Sequence, residues 1–222
     1  WTFLNLPPIE RAVFEQAAAA STKDKMKTKE ERVRKHGTVV RADGLAGADS
    51  WATDGHKWLN VPFDCGIALC AHRDDHEAAM EYAAPYLAVS ESHVARDPMG
   101  YSPEFSRRAR AVPVWAAIRE LGREGITALV DRCCAHARAI AEGLAALPGC
   151  EIVNEVVLNQ VLFRFEDDVR TQAILAAVQE EGEAWMSPTT WDGKFTIRIS
   201  VVGWRTSERD VERTVAAFAR AT

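Results

Sequence analysis

Residues 53–66 of the chain, TDGHKWLNVPFDCG, contain a single lysine between a histidine and a tryptophan. A protonated lysine is a poor nucleophile, but burial or a neighbouring cation lowers the pKa of a lysine and suits it to Schiff-base chemistry. His56 is adjacent to Lys57, Trp58 adds apolar bulk, and Gly55 lets the backbone come close to a bound group such as a phosphate. The spacing also fits a solvated lysine beside a turn. Both alternatives remain open on these residues alone.

Two histidines, His72 and His76, stand four residues apart in a predicted helix, with Asp74 and Asp75 between them. This spacing can bind zinc. The sequence offers no evident third ligand, and the solvated first turn of a helix explains the same residues. We therefore expect no metal site.

The five cysteines, at positions 65, 70, 133, 134 and 150, form an odd set without C-x-x-C spacing. This pattern indicates neither a disulfide framework nor a zinc site and favours a reducing, cytoplasmic location. Cys133 and Cys134 fall on or beside the apolar stripe of a predicted helix, so packing accounts for at least one of them.

The composition is that of a globular protein: 47% of the 222 residues are apolar, 27% are charged, and the net charge is −5. This length suggests one large domain or two small ones. We expect no nucleic-acid partner because the chain is acidic, and no membrane partner because it lacks an apolar run near the ~20 residues that span a bilayer. A basic segment, residues 23–36, fits either a contact with a polyanion or a solvated helix.

From Ala48 onward the hydrophobic pattern predicts a continuous folded unit. The stretch CGIALCAH is a candidate buried strand, and HRDDHEAAMEYAA begins a helix. Residues 86–103 contain prolines, a glycine and many polar side chains without a clear period, which predicts a long loop of the kind that is often functional.

Two further helices and a small terminal layer follow. Pro113 opens a helix that Gly122 or Gly125 interrupts, and an apolar stripe then continues at three- and four-residue steps. After Cys150 the pattern predicts a strand, a helix that ends at Gly182, two strands around a hairpin turn at Asp192-Gly193, and a last helix. Ser207 opens that helix, with Asp210 three residues on as a weak capping pair. This order indicates an α+β layer that is suitable as a small second domain.

The longer string SWATDGHKWLNVPFDCGIALC resembles the cofactor-lysine segment of the group II pyridoxal-phosphate-dependent amino-acid decarboxylases. The resemblance continues through DPMGYSPEFSRRARAVPVWAAIRELG, NEVVLNQVLFRF and TIRISVVGW, and it covers most of the chain. It implies an α/β fold: part of the aspartate-aminotransferase-like (type I) large domain, followed by a small α+β C-terminal domain. The expected ranges are an atypical leader with a basic helix or linker at 1–47, a partial large domain at 48–148 and the small domain at 149–222.

The same resemblance implies roles for five residues. Lys57 matches the lysine that binds pyridoxal 5′-phosphate as a Schiff base, and His56 matches a histidine near the cofactor and its phosphate. Asp54 stands at a phosphate-side position where relatives often have asparagine, although a carboxylate does not itself favour a phosphate. Arg198 matches an arginine that pairs with the substrate carboxylate in some relatives, or it is an exposed residue on the polar face of its strand. Tyr101 is the nearest match to a loop tyrosine that donates a proton.

The implied function is decarboxylation of an L-amino acid by a cytoplasmic lyase, a homodimer whose active sites lie near the subunit interface. The half of the family fold that precedes the lysine supplies most phosphate contacts and an aspartate for the pyridine nitrogen. We find no matching His-x-Asp strand upstream of Lys57. The chain is therefore expected to correspond to the C-terminal half of a decarboxylase. The alternative is a truncated, non-catalytic binding or assembly module derived from one.

Overall fold

The computed structural model of the chain describes residues 2–3, 47–80 and 98–222. The chain divides into two compact units at Arg123 and Glu124. The first unit contains the described residues up to 123, and the second contains residues 124–222. Residues 4–46 of the predicted leader at 1–47, with its basic segment, lie outside the described residues. So do residues 81–97, which include the first twelve residues of the loop predicted at 86–103.

The first unit is built around a three-stranded sheet. Its elements are β1 (Thr2–Phe3), β2 (Ser50–Asp54), α1 (Gly55–Trp58), β3 (Gly66–Cys70), α2 (Arg73–Met80), a 3-10 helix (Pro98–Tyr101) and the start of α3 (Ala111–Ala145). The strand order is β1-β3-β2; β3 runs parallel to β1 and antiparallel to β2. Asp54 pairs with Gly66, so the sheet register brings the two ends of the lysine-bearing loop together.

The predicted strand and helix of the first unit are both present. Strand β3 coincides with the apolar stretch after Cys65, and Ile67 is its one buried residue among those described. Helix α2 begins with Asp74 and Asp75 in its first turn, where the positive end of the helix dipole favours negative charge. Strand β2 was not predicted, because its five residues, SWATD, show no clear alternation of polar and apolar side chains.

Gly122 interrupts helix α3. Its backbone angles, φ 60° and ψ −169°, lie outside the helical region and are readily adopted only by glycine. The predicted interruption is thereby confirmed at Gly122, whereas Gly125 continues the second stretch of helix. The predicted apolar stripe lies in that second stretch, which buries Leu129, Ile140 and both neighbouring cysteines.

The second unit contains a four-stranded antiparallel sheet of order β4-β5-β7-β6. After the second stretch of α3, its elements are β4 (Cys150–Ile152), β5 (Gln160–Phe165), α4 (Asp168–Glu181), β6 (Ser187–Trp191), β7 (Lys194–Ser200) and α5 (Glu208–Ala221). Helix α4 packs on β5, β7 and α5. The predicted sequence of strand, helix, two strands and helix is therefore present.

Local signals at the ends of these elements are also confirmed. Asp192 and Gly193 both have positive φ, 50° and 73°, which matches the twist of the tight hairpin between β6 and β7. The Ser207 N–H donates to Asp210 Oδ2 at 2.9 Å, so the predicted capping pair begins α5. Gly182 ends α4 in a left-handed conformation.

Three phenylalanines form the centre of the second unit. Phe163 and Phe165 project from β5, and Phe218 from α5 contacts both rings, at centroid distances of 5.0 and 6.3 Å. Helices α3 and α5 approach closely at Gly143, where an added Cβ would lie 2.7 Å from a methyl group of Val215. The aromatic packing holds α5 on the sheet, and the absence of a side chain at Gly143 allows α3 and α5 to lie close together.

None of the described helices is both long and apolar enough to cross a membrane.

Replacing Phe218 by alanine should lower the free energy of unfolding by about 3–5 kcal/mol, because the change leaves a cavity beneath fully buried rings. Urea unfolding followed by far-UV circular dichroism measures the change. Val169→Ala is the matched control: this valine on α4 is exposed, so its removal should matter by less than about 0.5 kcal/mol. Equal effects of the two substitutions would contradict the assigned core.

Candidate functional site

Lys57 lies on α1, a single helical turn that follows β2 directly. Gly55 is the buried residue of this turn, and a Cβ there would meet Val61, Cys65 and Val114 at 3.2 to 3.4 Å. The glycine therefore allows the turn to pack against the protein interior, and the expected approach of its backbone to a phosphate remains a prediction. This packing fixes the backbone from which Lys57 projects.

His56 is held by the main chain of Cys65. The Cys65 N–H donates to His56 Nδ1 at 3.0 Å. The Cys65 carbonyl oxygen, which accepts the Gly55 N–H at 2.8 Å, also lies 3.0 Å from Nδ1. Because a backbone amide always carries its hydrogen, Nδ1 is the acceptor and the neutral ring has its proton on Nε2. The ring packs edge-on against Phe63, with centroids 4.6 Å apart.

The amine of Lys57 forms an ion pair with Asp54, three residues earlier. Lys57 Nζ lies 2.5 Å from Asp54 Oδ2, and the two side chains are 63% and 32% exposed. The hydrogen bond from Lys57 lowers the pKa of Asp54, so this carboxyl group is ionised at neutral pH. The described residues thus bring together the predicted lysine and the predicted phosphate-side residue, but they do not bury the amine.

Asp64 joins the lysine loop to a segment more than forty residues later in the chain. Arg110 approaches the Asp64 carboxylate through two nitrogens, each 3.2 Å from an oxygen, and its side chain is only 16% exposed. Arg108 Nη2 donates to Asp64 Oδ1 at 2.6 Å and to the Phe63 carbonyl at 2.8 Å. Arg110 also contacts Glu104 at 3.2 Å. We call these four residues, Asp64, Glu104, Arg108 and Arg110, the Asp64 network. It ties the lysine loop to residues 104–110.

The titration of two loop residues reflects these contacts. The hydrogen bond from Arg110 lowers the pKa of Asp64 to about 2. Burial raises the pKa of the neighbouring Cys65 thiol, so this cysteine is neutral under ordinary conditions. Cys65 therefore serves the loop through its backbone and its small buried side chain.

Tyr101 is buried against α2. Its hydroxyl accepts a hydrogen bond from Arg73 Nε at 3.0 Å, and its ring packs edge-on against His76 at 5.5 Å. His72, the other half of the suggested zinc spacing, bonds through Nε2 to Asp49 at 2.8 Å, and this carboxylate raises the pKa of the imidazole. The described residues contain no group of three potential metal ligands.

Arg198 belongs to the second unit. It is exposed on the central strand β7, opposite Leu162 of β5 and Ser187 of β6. Ser200 shares this exposure, whereas Thr196, two residues before Arg198 on the same strand, is buried. The guanidinium group is thus available for a ligand, and its assignment to a substrate carboxylate remains a prediction.

The sequence did not indicate the Asp64 network. Asp64 lies inside the quoted lysine segment, and the arginines lie inside RRAR, but a single sequence gives no sign that they meet across 44 to 46 residues. The available signal was a run of basic residues without an assigned role, which a solvated strand or loop explains equally well.

The Asp64 network predicts a specific acid dependence of stability. The pKa of Asp64 falls from 3.8 to about 2 on folding. The ionised carboxylate therefore makes its full contribution to the free energy of unfolding above about pH 4, and this contribution is lost as the pH falls towards 2. Asp64→Asn should therefore lower the melting temperature near neutral pH, and this deficit should shrink over that acidic range. Thermal unfolding of both proteins at several pH values measures it.

Glu104→Gln is the control, because it removes the other carboxylate partner of Arg110 and leaves Asp64 paired. Glu104→Gln should lower the melting temperature near neutral pH by less than Asp64→Asn does. A deficit of Asp64→Asn that stays constant down to about pH 2 would show that the ion pairs contribute nothing to stability.

Comparison with curated proteins shows likeness to several decarboxylases. Rat histidine decarboxylase is 28% identical over 171 residues, which make up 77% of this chain and 26% of the relative. L-2,4-diaminobutyrate decarboxylase of Rhizobium meliloti is 28% identical over 187 residues, or 80% of this chain and 38% of that protein. The chain thus spans only about a quarter to two fifths of the length of these relatives.

Solved structures show the same likeness in the fold. The TDC of Oryza sativa, determined with PLP and tryptamine, superposes with a TM-score of 0.75 at 20% identity over 81% of this chain and 40% of that chain. Mouse CSAD gives a TM-score of 0.69 at 19% identity over 81% and 41% of the two chains. The expected α/β class is confirmed at this level, while the assignment of residues 149–222 to a small C-terminal domain remains a prediction.

A family model described as the pyridoxal-dependent decarboxylase conserved domain matches residues 32–166. The match begins within the range 1–47 that we expected to be atypical, so residues 32–47 share the likeness. It also includes the whole lysine loop and the Asp64 network. Because this match covers more than half of the 222 residues, the chain belongs to the family of pyridoxal-dependent decarboxylases, whose cofactor is pyridoxal phosphate.

Proposed function

We propose that this chain forms part of an enzyme that uses pyridoxal phosphate to remove the carboxyl group of an L-amino acid, and that Lys57 holds the cofactor. The observation that carries this proposal is the placement of the Lys57 amine. It projects from a turn that is fixed on one side by the packing of Gly55 and on the other by the Asp64 network. A rigidly held backbone with an accessible amine is what covalent capture of an aldehyde requires.

The residues around Lys57 fit an aldehyde cofactor in their chemistry. Lys57 offers a primary amine, and His56 offers an Nε2–H donor whose direction is set by the Cys65 amide. When bound, pyridoxal phosphate supplies an electron sink for the pair of electrons that departing carbon dioxide leaves behind. The protein contributes the position of the amine and the hydrogen bonds around it.

His56 and Asp54 have different proposed roles beside this amine. His56 would donate from Nε2 to an acceptor oxygen of the bound group, because its other ring nitrogen is engaged with the backbone. Asp54 would contact Lys57 in the free protein. Because Asp54 is negatively charged, it would repel a phosphate. We therefore propose that Asp54 lies near the phosphate without binding it.

Two residues farther along the chain complete the proposal. Arg198 would bind the carboxylate of the amino acid through a planar guanidinium that is exposed on β7. Tyr101 would act as a proton donor through its O–H, because the hydrogen bond from Arg73 Nε at 3.0 Å engages the hydroxyl oxygen as an acceptor. The supporting observation is therefore stronger for Arg198, which is exposed, than for Tyr101, which is buried.

The complete activity is a proposal because the chain spans a limited share of its relatives. The amino acids in the names of those relatives, histidine and 2,4-diaminobutyrate, are the first substrates to try. We further propose a homodimer without nucleic-acid or membrane partners, in line with the net charge of −5. The five free cysteines of the chain support a cytoplasmic location.

A second candidate is a non-catalytic binding or assembly module of the same descent. The ion pair of Lys57 with Asp54 favours this alternative, because a carboxylate beside the nitrogen keeps the amine in its charged, unreactive form. Aldehyde capture alone does not separate the two candidates. Release of carbon dioxide does.

Reaction of the chain with pyridoxal phosphate, followed by borohydride reduction, should place a stable label on Lys57. Peptide mass spectrometry locates the label, and Lys194 is the internal reference because it is the other lysine among the described residues. We expect several-fold faster labelling at Lys57 than at Lys194, because Lys194 lies on an exposed hairpin without a fixed imidazole beside it.

Lys57→Arg is the matched control, since it keeps the positive charge beside Asp54 and removes the reactive amine. Labelling at position 57 should then disappear, while labelling at Lys194 should stay unchanged. In a parallel assay without borohydride, carbon dioxide release is measured from amino acids that carry an isotope in the carboxyl group. Equal labelling of both lysines would refute the assignment of Lys57, and labelling at Lys57 without carbon dioxide release would favour the non-catalytic module.

A further inference from the structure

We propose that Asp54 restrains Lys57, so that opening of their ion pair limits how fast this amine captures an aldehyde. The inference rests on the proposed function of Lys57. It begins from the position of Asp54 at the junction of β2 and α1, where it is the N-cap residue of the helical turn. The same carboxylate that could cap the helix contacts the amine of the reactive residue.

An aspartate at an N-cap position usually accepts a hydrogen bond from a backbone N–H of the first turn. Asp54 makes no such bond. Its Oδ2 atom instead lies 2.5 Å from Lys57 Nζ. The side chain therefore makes a charge-assisted hydrogen bond with the amine in place of the usual capping hydrogen bond.

This contact opposes the reaction that Lys57 is proposed to perform. An ammonium nitrogen has no lone pair, so it must separate from Asp54 and lose a proton to solvent before it attacks a carbonyl carbon. The nitrogen then forms a C=N bond while the carbonyl oxygen leaves as water. A carboxylate beside the nitrogen stabilises the charged, unreactive form.

The charged groups around the pair are few among the described residues. His56 is the neighbouring cation when protonated, and it also lowers the pKa of Asp54, after the larger effects of Lys57. Asp64 is engaged by Arg108 and Arg110. Removal of the Asp54 charge is therefore the direct way to release the amine.

The experiment compares the wild type with Asp54→Asn at neutral pH. Each protein is treated with pyridoxal phosphate or with pyridoxal, which carries the same aldehyde without the phosphate, and is then reduced with borohydride. Borohydride delivers a hydride to carbon, and solvent delivers a proton to nitrogen, so each captured aldehyde remains as a secondary amine. The labelling rate at Lys57 is divided by the rate at Lys194 of the same molecule.

We expect Asp54→Asn to raise this ratio by about two- to fivefold with both aldehydes, which is the range for loss of a partly exposed ion pair. Asp54→Glu keeps the charge and should stay near the wild-type ratio. Circular dichroism checks that the variants keep the same fold, which we expect because the side chain of Asp54 makes no helix cap.

Three other outcomes are distinguishable. Equal ratios in the wild type and Asp54→Asn, with Lys57 labelled in both, would overturn the restraint and leave the proposed function standing. A rise with pyridoxal phosphate alone would overturn it as well, because Asp54 would then act by repelling the phosphate. Absence of preferential labelling at Lys57 in every protein would refute the proposed function itself.

Discussion

The carboxylate of Asp64 is the interaction on which the lysine loop depends. It receives two arginines from a segment that lies 44 to 46 residues later in the chain, and one of them also binds the backbone carbonyl of Phe63. Helix α1 buries only Gly55, and between α1 and β3 the buried residues are Val61 and Cys65. Ion pairs therefore add to a small apolar cluster in holding this loop.

The second unit shows the contrast. Its sheet and helices converge on three phenylalanines, and its turns and helix ends are specified by neighbouring residues such as Ser207 with Asp210. Such a unit draws its stability from apolar burial and short-range capping. In the first unit, hydrogen-bonded ion pairs also join the lysine loop to a segment that is distant in the sequence.

These differences explain what the sequence could predict. The hairpin at Asp192 and Gly193 and the helix that begins after Ser207 were predicted because their signals lie within a few neighbouring residues. Lys57 was found through a resemblance that spans the whole loop, since its spacing alone also fits a surface lysine. The exposure of its amine could not be predicted, because burial depends on residues that are far apart in the sequence.

Long-range pairing accounts for the remaining differences. Strand β2 lacks a clear alternation of polar and apolar residues, and it is defined by its pairing with β3, in which Asp54 pairs with Gly66. Tyr101 was placed by analogy on a loop, but its side chain is buried beside Arg73. In each case the deciding contact joins segments that a local pattern cannot connect.

Cys65 shows how a backbone contribution can escape notice. Its amide orients an imidazole and its carbonyl holds the N–H of Gly55, while its thiol fills a small space and stays neutral. Any compact side chain could occupy this position without changing the two main-chain bonds. Variation at such a position during evolution would therefore leave the architecture around the imidazole intact, and side-chain identity would be a poor measure of how much the position matters.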